Sequence, residues 1–418
     1  MWADLALALS VVGAWLLSKA RYNDVFTPLF SYAAVWCASL LLFRLRLVDY
    51  DELNCQTALI IAASVAAFGA GCMLAGKPSA QTETSLPINQ QRLAVVITAL
   101  LILNVIGLVL LVRWLQTGFG LLTNLGDVSA LRASSDETTR VGALGFLTLL
   151  DLPLLLCAWM YYLRFGKRRW FTVLGVVVPL LEPYLKGDRG TLTFDLLTML
   201  FLWIYYHGWR RPNQTVVSRV SVLGVVLLGY FLAMGSLLDK LASQPQQAMT
   251  ARQTSLTSGT ALALVSPYIY ATASFPTLQQ GMQDVDHFTW GARTFFPVAR
   301  LLYALGVIRQ RPEPLTFDFY FVPVPFNTYT HLFTFYQDFG TAGIVLVPLL
   351  LGWLETRVYL SLKRSPGFFS LTAAACFLGI NCFSIFIPLI LSLSIWYCLT
   401  VLWLLSRWCR APWRECLS

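Results

Sequence analysis

Apolar runs of about 17–23 residues, each long enough to cross a hydrocarbon core as a helix, recur along most of this chain. Short polar turns separate them. Window hydropathy places about eleven such runs, near residues 3–19, 26–43, 56–76, 93–112, 141–163, 170–185, 191–207, 217–236, 339–359, 368–386 and 388–406. One stretch breaks the rhythm. Residues 237–338 cannot cross a bilayer as a whole, and they hold two half-apolar pieces, Thr260–Ser274 and Thr294–Val307, with the pattern of short interfacial or re-entrant helices. The pattern predicts an all-α, polytopic integral membrane protein in three parts. Spans one to eight with short loops occupy 1–236, a large external loop occupies 237–338, and spans nine to eleven with a C-terminal tail occupy 339–418.

Composition agrees: 57% of residues are hydrophobic and 12% charged, and the mean hydropathy is +0.64, far from a soluble balance. The formal charge of +9 is explained first by membrane topology, and nucleic acid is not an expected partner. Basic residues cluster at Arg164, Lys167, Arg168 and Arg169 between spans five and six, and at Arg210, Arg211 and Arg219 after span seven. They recur at Arg357, Lys363 and Arg364 after span nine and at Arg407, Arg410 and Arg414 near the end. An eleven-span count puts all of these on one side, which the positive-inside rule makes cytoplasmic, with the N-terminus outside. Asp4 stands where a cleavable signal carries basic residues, and Lys19 and Arg21 follow the apolar run, so the first segment reads as a retained span. Most of the nine cysteines, among them Cys37, Cys72, Cys157, Cys376, Cys382 and Cys398, fall inside spans and read as small apolar residues. The long loop has none, so no disulfide framework is expected there.

Three regions face outward under this topology: the loop at 113–140, the turn Lys186-Gly187-Asp188-Arg189-Gly190 between spans six and seven, and the long loop. In the turn, Lys186 and Arg189 beside exposed N–H groups at the start of a helix suit a phosphate or pyrophosphate; a solvated turn touching lipid headgroups is the plainer reading. Asp151, Glu182 and Asp195 are acids within spans, and Glu182 and Asp195 lie near enough to pair with Lys186 or Arg189. In the long loop Arg252, Arg293, Arg300, Arg309 and Arg311 stand among Tyr268, Tyr270, Phe288, Trp290, Phe295, Phe296, Tyr320 and Phe321, a mixture that favours an anionic, partly apolar ligand such as a sugar phosphate. Of the three histidines, His331 lies seven residues before Asp338, and a histidine near a carboxylate can serve as general base. The pairs Asp49/Asp51 and Asp284/Asp286 have the spacing to hold a divalent cation, but carry little weight by themselves.

The segment Phe326-Asn-Thr-Tyr-Thr-His-Leu-Phe-Thr-Phe-Tyr-Gln-Asp-Phe-Gly-Thr-Ala-Gly343, opening a span, resembles the signature of the bacterial oligosaccharide repeat unit polymerases, the Wzy-type O-antigen polymerases. The preceding GARTFFPVARLLYALGV, the LKGDRG at the start of a span and the large penultimate external loop are similar to that family in order and spacing. The likeness covers roughly residues 90–360 and is strongest at 326–343.

That resemblance implies a GT-C-like membrane glycosyltransferase of the bacterial inner membrane, working at its periplasmic face in lipopolysaccharide or related polysaccharide biosynthesis. Its substrates are undecaprenyl-pyrophosphate-linked oligosaccharides, which it polymerises by en bloc transfer, without a nucleotide sugar, a metal or another cofactor. Membrane lipids and a chain-length-regulating co-polymerase are the partners to expect. Fixed cations lower the barrier by stabilising charge on the departing pyrophosphate. Arg189 is the first choice for that role, with Lys186, Arg293 and Arg300 as further pyrophosphate or sugar ligands. His331 is the candidate base, with Asp338 orienting or replacing it, although the family pattern has the aspartate and glycines without a dependable histidine. Asn327, Tyr329 and Tyr336 are expected to line the sugar site. The rivals are an O-antigen ligase passing finished glycan to a lipid core, a metal-dependent transferase centred on the Asp-x-Asp pairs, and a lipid-linked-oligosaccharide flippase or other transporter.

Overall fold

The computed structural model describes residues 2–77, 88–119, 147–185, 188–209, 213–237, 267–310, 312, 318–322 and 325–410. A helix lies over each of the eleven predicted apolar segments. The first eight are α1 (Trp2–Tyr22), α2 (Pro28–Arg44), α3 (Cys55–Leu74), α4 (Gln90–Phe119), α5 (Asp151–Phe165), α6 (Trp170–Leu185), α7 (Arg189–Tyr206) and α8 (Gln214–Leu237). Within the long loop come α9 (Ser274–Gln283), α10 (Phe296–Ala304) and a two-stranded antiparallel hairpin, β1 (Tyr320–Phe321) with β2 (Pro325–Phe326), in which Tyr320 pairs with Phe326. The chain closes with α11 (His331–Arg364), α12 (Phe368–Phe383) and α13 (Leu393–Trp408). Among the described residues four helical stretches, Cys55–Leu74, Gln90–Arg113, Leu147–Phe165 and His331–Arg364, are long and apolar enough to cross a membrane, and further apolar helices are shorter. This is a helical protein of membrane character.

Local chemistry sets several of the boundaries. Thr27 caps α2 by accepting from the Phe30 N–H at 3.2 Å, with Pro28 in the first turn where its missing N–H costs nothing. Asn54 caps α3 through the Thr57 N–H at 2.7 Å. Gly166 ends α5 in a left-handed conformation.

Helix ends sort onto two faces. On the first, the Arg21 guanidinium donates to the Met73 and Gly76 carbonyls at 2.8 and 2.7 Å, Tyr205 OH donates to the Phe26 carbonyl at 2.9 Å, Gln90 donates to Tyr161 OH at 2.8 Å, and the Asn89 N–H reaches the Cys409 carbonyl at 2.8 Å. On the second, residues 45–54 bind the long loop. Tyr268 OH donates to the Leu42 carbonyl at 2.9 Å, Tyr50 and Thr272 share a hydrogen bond of 2.9 Å, and the Asn54 N–H reaches Gln279 Oε1 at 2.7 Å. Arg164, Lys363, Arg364 and Arg407 lie in the last turns of helices on the first face, and Arg357 donates there to the Ala75 carbonyl at 3.4 Å. Part of the presumed external loop is core: Ile269, Ala273, Phe275 and Leu278 are buried, and the Phe275 ring packs on Trp36 and Phe43 at 6.0 and 5.8 Å. Residues 267–283 are therefore not a separate external unit, because their apolar side chains fill the gap between α2 and the loop at 45–54.

The tightest packing joins α3 to α11. A Cβ on Gly71 would lie 1.9 Å from the Leu349 carbonyl oxygen, and one on Gly352 would lie 2.1 Å from that of Phe68. Small residues let two backbones touch where apolar solvent offers no hydrophobic drive to associate. Nearer the first face, Asp24 is fully buried; its Oδ2 accepts from Lys363 Nζ at 2.6 Å and from Tyr359 OH at 2.7 Å, and its Oδ1 accepts from the Phe26 N–H at 2.8 Å.

Two stability outcomes follow, both read as melting temperature in detergent. Gly71→Ala and Gly352→Ala should each destabilise by at least the ~1–3 kcal/mol usual for overpacking, while Gly13→Ala, whose new methyl meets nothing within 4 Å, should not. Lys363→Met should cost roughly 3–5 kcal/mol by leaving the Asp24 carboxylate buried without its cation, and Asp24→Asn combined with Lys363→Met should recover much of the loss.

Candidate functional site

The segment singled out in the sequence folds as a helical hairpin. Gly340 adopts φ 60° and ψ −145°, a conformation open essentially only to glycine, and it splits α11 into a short leg, 331–339, and a long leg, 341–364. A Cβ on Gly343 would sit 2.2 Å from the Phe335 carbonyl oxygen, eight residues earlier, so the short leg lies back against the start of the long one. The Phe288 ring covers the turn: a Cβ on Gly340 would meet its Cζ at 2.8 Å. Both glycines of FGTAG are thus needed, one for the turn and one for the close approach.

Asp338 ties this hairpin to the long loop. Its side chain is fully buried and accepts hydrogen bonds from Thr289 Oγ1, the Thr294 N–H and, at 3.2 Å, the Arg293 N–H. The Trp290 N–H donates to the Asp338 carbonyl at 3.1 Å and the Thr289 N–H to the Gln337 carbonyl at 2.9 Å. A carboxylate holding two backbone N–H groups and a hydroxyl is an anchor, with its oxygens committed. It draws 289–294, and so Arg293, onto the short leg. One turn further, the Arg300 guanidinium lies 5.7 Å from the Phe296 ring centre. Tyr336, half-buried, meets Phe288 edge-on at 6.3 Å.

His331 opens the short leg at its other end. Its N–H donates to the Ser384 carbonyl at 2.9 Å, its Nε2 lies 3.1 Å from Tyr32 OH, and Trp36 meets its ring edge-on. The buried ring forms one wall of a small cavity of about 10 Å³, shared with Tyr32, Phe68, Glu355, Asn381, Ser384 and residues 387–390. His331 and Asp338 do not meet. Seven residues return both to one side of the helix but separate them by about 10 Å along its axis. The His–Asp pairing expected from the spacing is therefore absent, each side chain having partners of its own.

The remaining candidates divide. Asn327 is exposed. Tyr329 is buried: its ring stacks on Phe333 at 4.2 Å and its OH donates to the Asp318 carbonyl at 3.1 Å. Burial pushes the Tyr329 phenol up, and burial together with the Asp284 carboxylate that its hydroxyl binds pushes Tyr320 up to about 12. Tyr329 is thus a packing residue rather than an open sugar platform. Asp284 of the second Asp-x-Asp pair is occupied by Tyr320, and Asp49 and Asp51 are exposed. Among the described residues no three His, Cys, Asp or Glu side chains converge as metal ligands.

Arg189 begins α7, while its side chain and the whole of Lys186 lie outside the described residues, as do Arg252, Arg311 and residues 120–146. The turn itself differs from the expected ring of free N–H donors: Asp188 caps α7, accepting from the Thr191 N–H at 3.1 Å and from its hydroxyl at 2.6 Å. A carboxylate already holds part of that helix start, as the helix dipole favours. Glu182 and Asp195 are buried, and Asp151 accepts from Asn104 and interacts with Glu182.

Sequence reasoning missed Glu355, Asn381, Ser384 and Tyr32, which gather behind His331. Glu355 carried a legible signal, a lone carboxylate within the predicted span 339–359; the others are ordinary span residues until the fold brings them together. In comparisons with known families, curated proteins and solved structures, the chain matches none.

If Asp338 is an anchor, Asp338→Asn should lower the melting temperature and speed proteolysis within 286–310, at about 1.5–3 kcal/mol for each charged hydrogen bond weakened. A residue acting only as a base would lose activity with the cleavage pattern unchanged.

Proposed function

We propose that this chain is a polytopic glycosyltransferase with about eleven spans and a GT-C-like architecture, which polymerises undecaprenyl-pyrophosphate-linked oligosaccharide repeat units at the periplasmic face of a bacterial inner membrane. The observation that carries this is the junction at Asp338. It joins the two outward segments that the sequence singled out, 289–294 with Arg293 and the short leg of 326–343, into one body. The sorting of helix ends supports the orientation: the face carrying Arg164, Arg357, Lys363 and Arg407 is the cytoplasmic one, and the junction lies on the other.

In the reaction the donor glycan's anomeric carbon leaves its pyrophosphate oxygen and bonds to a hydroxyl of the acceptor repeat, and the hydroxyl proton passes to a base. Negative charge grows on the departing lipid pyrophosphate, and Arg293, Arg189 and Lys186 stabilise it where it develops. Arg300, Asn327 and Tyr336 supply contacts to sugars. Asp338 positions Arg293. His331 remains the candidate base, since its buried ring borders a small cavity whereas the oxygens of Asp338 are committed.

A second reading, transport of a lipid-linked oligosaccharide, is favoured by a specific feature. α11 is broken at Gly340, and α12 stops at Phe383 before the chain resumes as a short 3-10 turn and α13, discontinuities of the kind that line transporter sites. A glycan ligase would share most features of the polymerase.

The purified protein, given its host's lipid-pyrophosphate-linked repeat unit, should produce a ladder of lengthened lipid-linked products that survives a chelator. Arg293→Ala and Arg189→Ala should each reduce it by about 10²–10³, the usual loss on removing one donor to a developing anion. Transfer only to a lipid core would identify a ligase. Translocation of labelled substrate in vesicles without any ladder would identify a transporter.

A further inference from the structure

Glu355 plays no part in the proposed transfer. It lies on the long leg of α11, about 13 Å from the end of that helix at Arg364, and is 2% exposed. Its Oε2 accepts from Asn381 Nδ2 at 2.9 Å, and Asn381 is itself held by Ser31 Oγ at 3.1 Å. Among the described residues no Lys, Arg or His nitrogen forms an ion pair with it. The cations of the same helix are engaged elsewhere: Lys363 with Asp24, and Arg357 with the Ala75 carbonyl at 3.4 Å and the Trp353 ring. The titratable groups around it are Tyr32 from α2, Cys72 from α3 and Tyr205 from α7, with His331 across the pocket turned towards Tyr32. None is a cation in contact with the carboxylate.

A carboxylate withdrawn from water is strongly disfavoured without a compensating positive charge. Electroneutrality then favours one unit of positive charge accompanying Glu355, and no ion pair among the described residues supplies it. Yet Glu355 lines a small cavity of about 10 Å³, room for a single water-sized occupant such as one small ion. The same cavity is lined by Tyr32, Ser384 and Asn381, with Ser384 Oγ accepting from Trp36 Nε1 at 3.0 Å and donating to the Asn381 carbonyl at 2.7 Å. Intramembrane carboxyls are rare and costly, face a protein interior or a cavity, and commonly mark ion or proton paths.

We propose that Glu355 and Asn381, at the base of this pocket, form a monovalent-cation site filled by a proton or a sodium ion. The site shares its cavity with His331 but does not rest on glycosyl transfer: a chain without that activity would still carry it. Binding there loads the seam between α11 and α12, the two broken helices.

The test uses the full-length protein in nanodiscs and a hydrophobic carbodiimide, which modifies protonated carboxyls in low-dielectric surroundings, with the Glu355 peptide read by mass spectrometry. A proton site is labelled, and the labelling falls about tenfold per pH unit above the group's pKa whether choline or sodium is the buffer cation. A sodium site is labelled in choline and protected several-fold by sodium at constant pH. In parallel, the dependence of melting temperature on pH or sodium should disappear in Glu355→Gln, which keeps the shape and the Asn381 contact without the charge. Labelling indifferent to both ions overturns the proposal. So does a Glu355→Gln variant that responds to pH and sodium as the parent does, and that outcome decides the matter if no labelling is seen.

Discussion

The contact on which the rest of the structure depends is the backbone approach of α3 and α11 at Gly71 and Gly352. Apolar side chains gain little from one another when the surroundings are themselves apolar, so helices associate through close packing and polar contacts. Two missing side chains let carbonyl oxygens occupy the space of a Cβ, and that fixes the long leg of α11 against α3. The long leg then sets the position of everything built on it. At one end Lys363 reaches Asp24; midway Glu355 meets Asn381; at the other end the chain turns at Gly340 and sends its short leg back.

Polar groups in this interior are consistently handled in small, local arrangements. Asp24 has a cation, a phenol and a backbone N–H. Asp338 has a hydroxyl and two backbone N–H groups. Each satisfies a charge that would otherwise be costly to bury, and each joins segments distant in sequence. Glu355 differs, having an amide as its protein partner and a pocket beside it. The contrast separates carboxylates held by a full set of donors from one held by a single amide.

How much was legible depended on the range of the interaction. Each apolar run coincided with a helix, because 3.6-residue geometry and a hydrocarbon thickness are local constraints on composition, whereas the short polar helix Ser274–Gln283 carried no such mark. Phe326–Gly343 stood out as polar, aromatic and glycine-bearing, and it became the hairpin broken at Gly340. The role of Asp338 was not legible, since its partners Thr289, Arg293 and Thr294 lie more than forty residues earlier. The pairing of His331 with Asp338 failed for a plain reason. A spacing of seven keeps two residues on one side of a helix yet leaves them two turns apart, and nothing in the spacing says that Tyr32 lies nearer. The burial of 267–283 was hidden in the same way, because its half-apolar pattern fits an interfacial helix as well as a core one.

The sequence by itself determined a helical membrane protein, the places where helices run, and which helix ends carry the positive charge. These follow from the free energy of moving individual residues between water and hydrocarbon, which needs no knowledge of neighbours. Only the tertiary structure decided which polar residues meet: the anchor at Asp338, the separation of His331 from it, the clamp at Asp24 and the pocket at Glu355. Those depend on how close two backbones can come and at what angle a chain turns back, and both were set by single glycines whose meaning appears only when a second helix arrives.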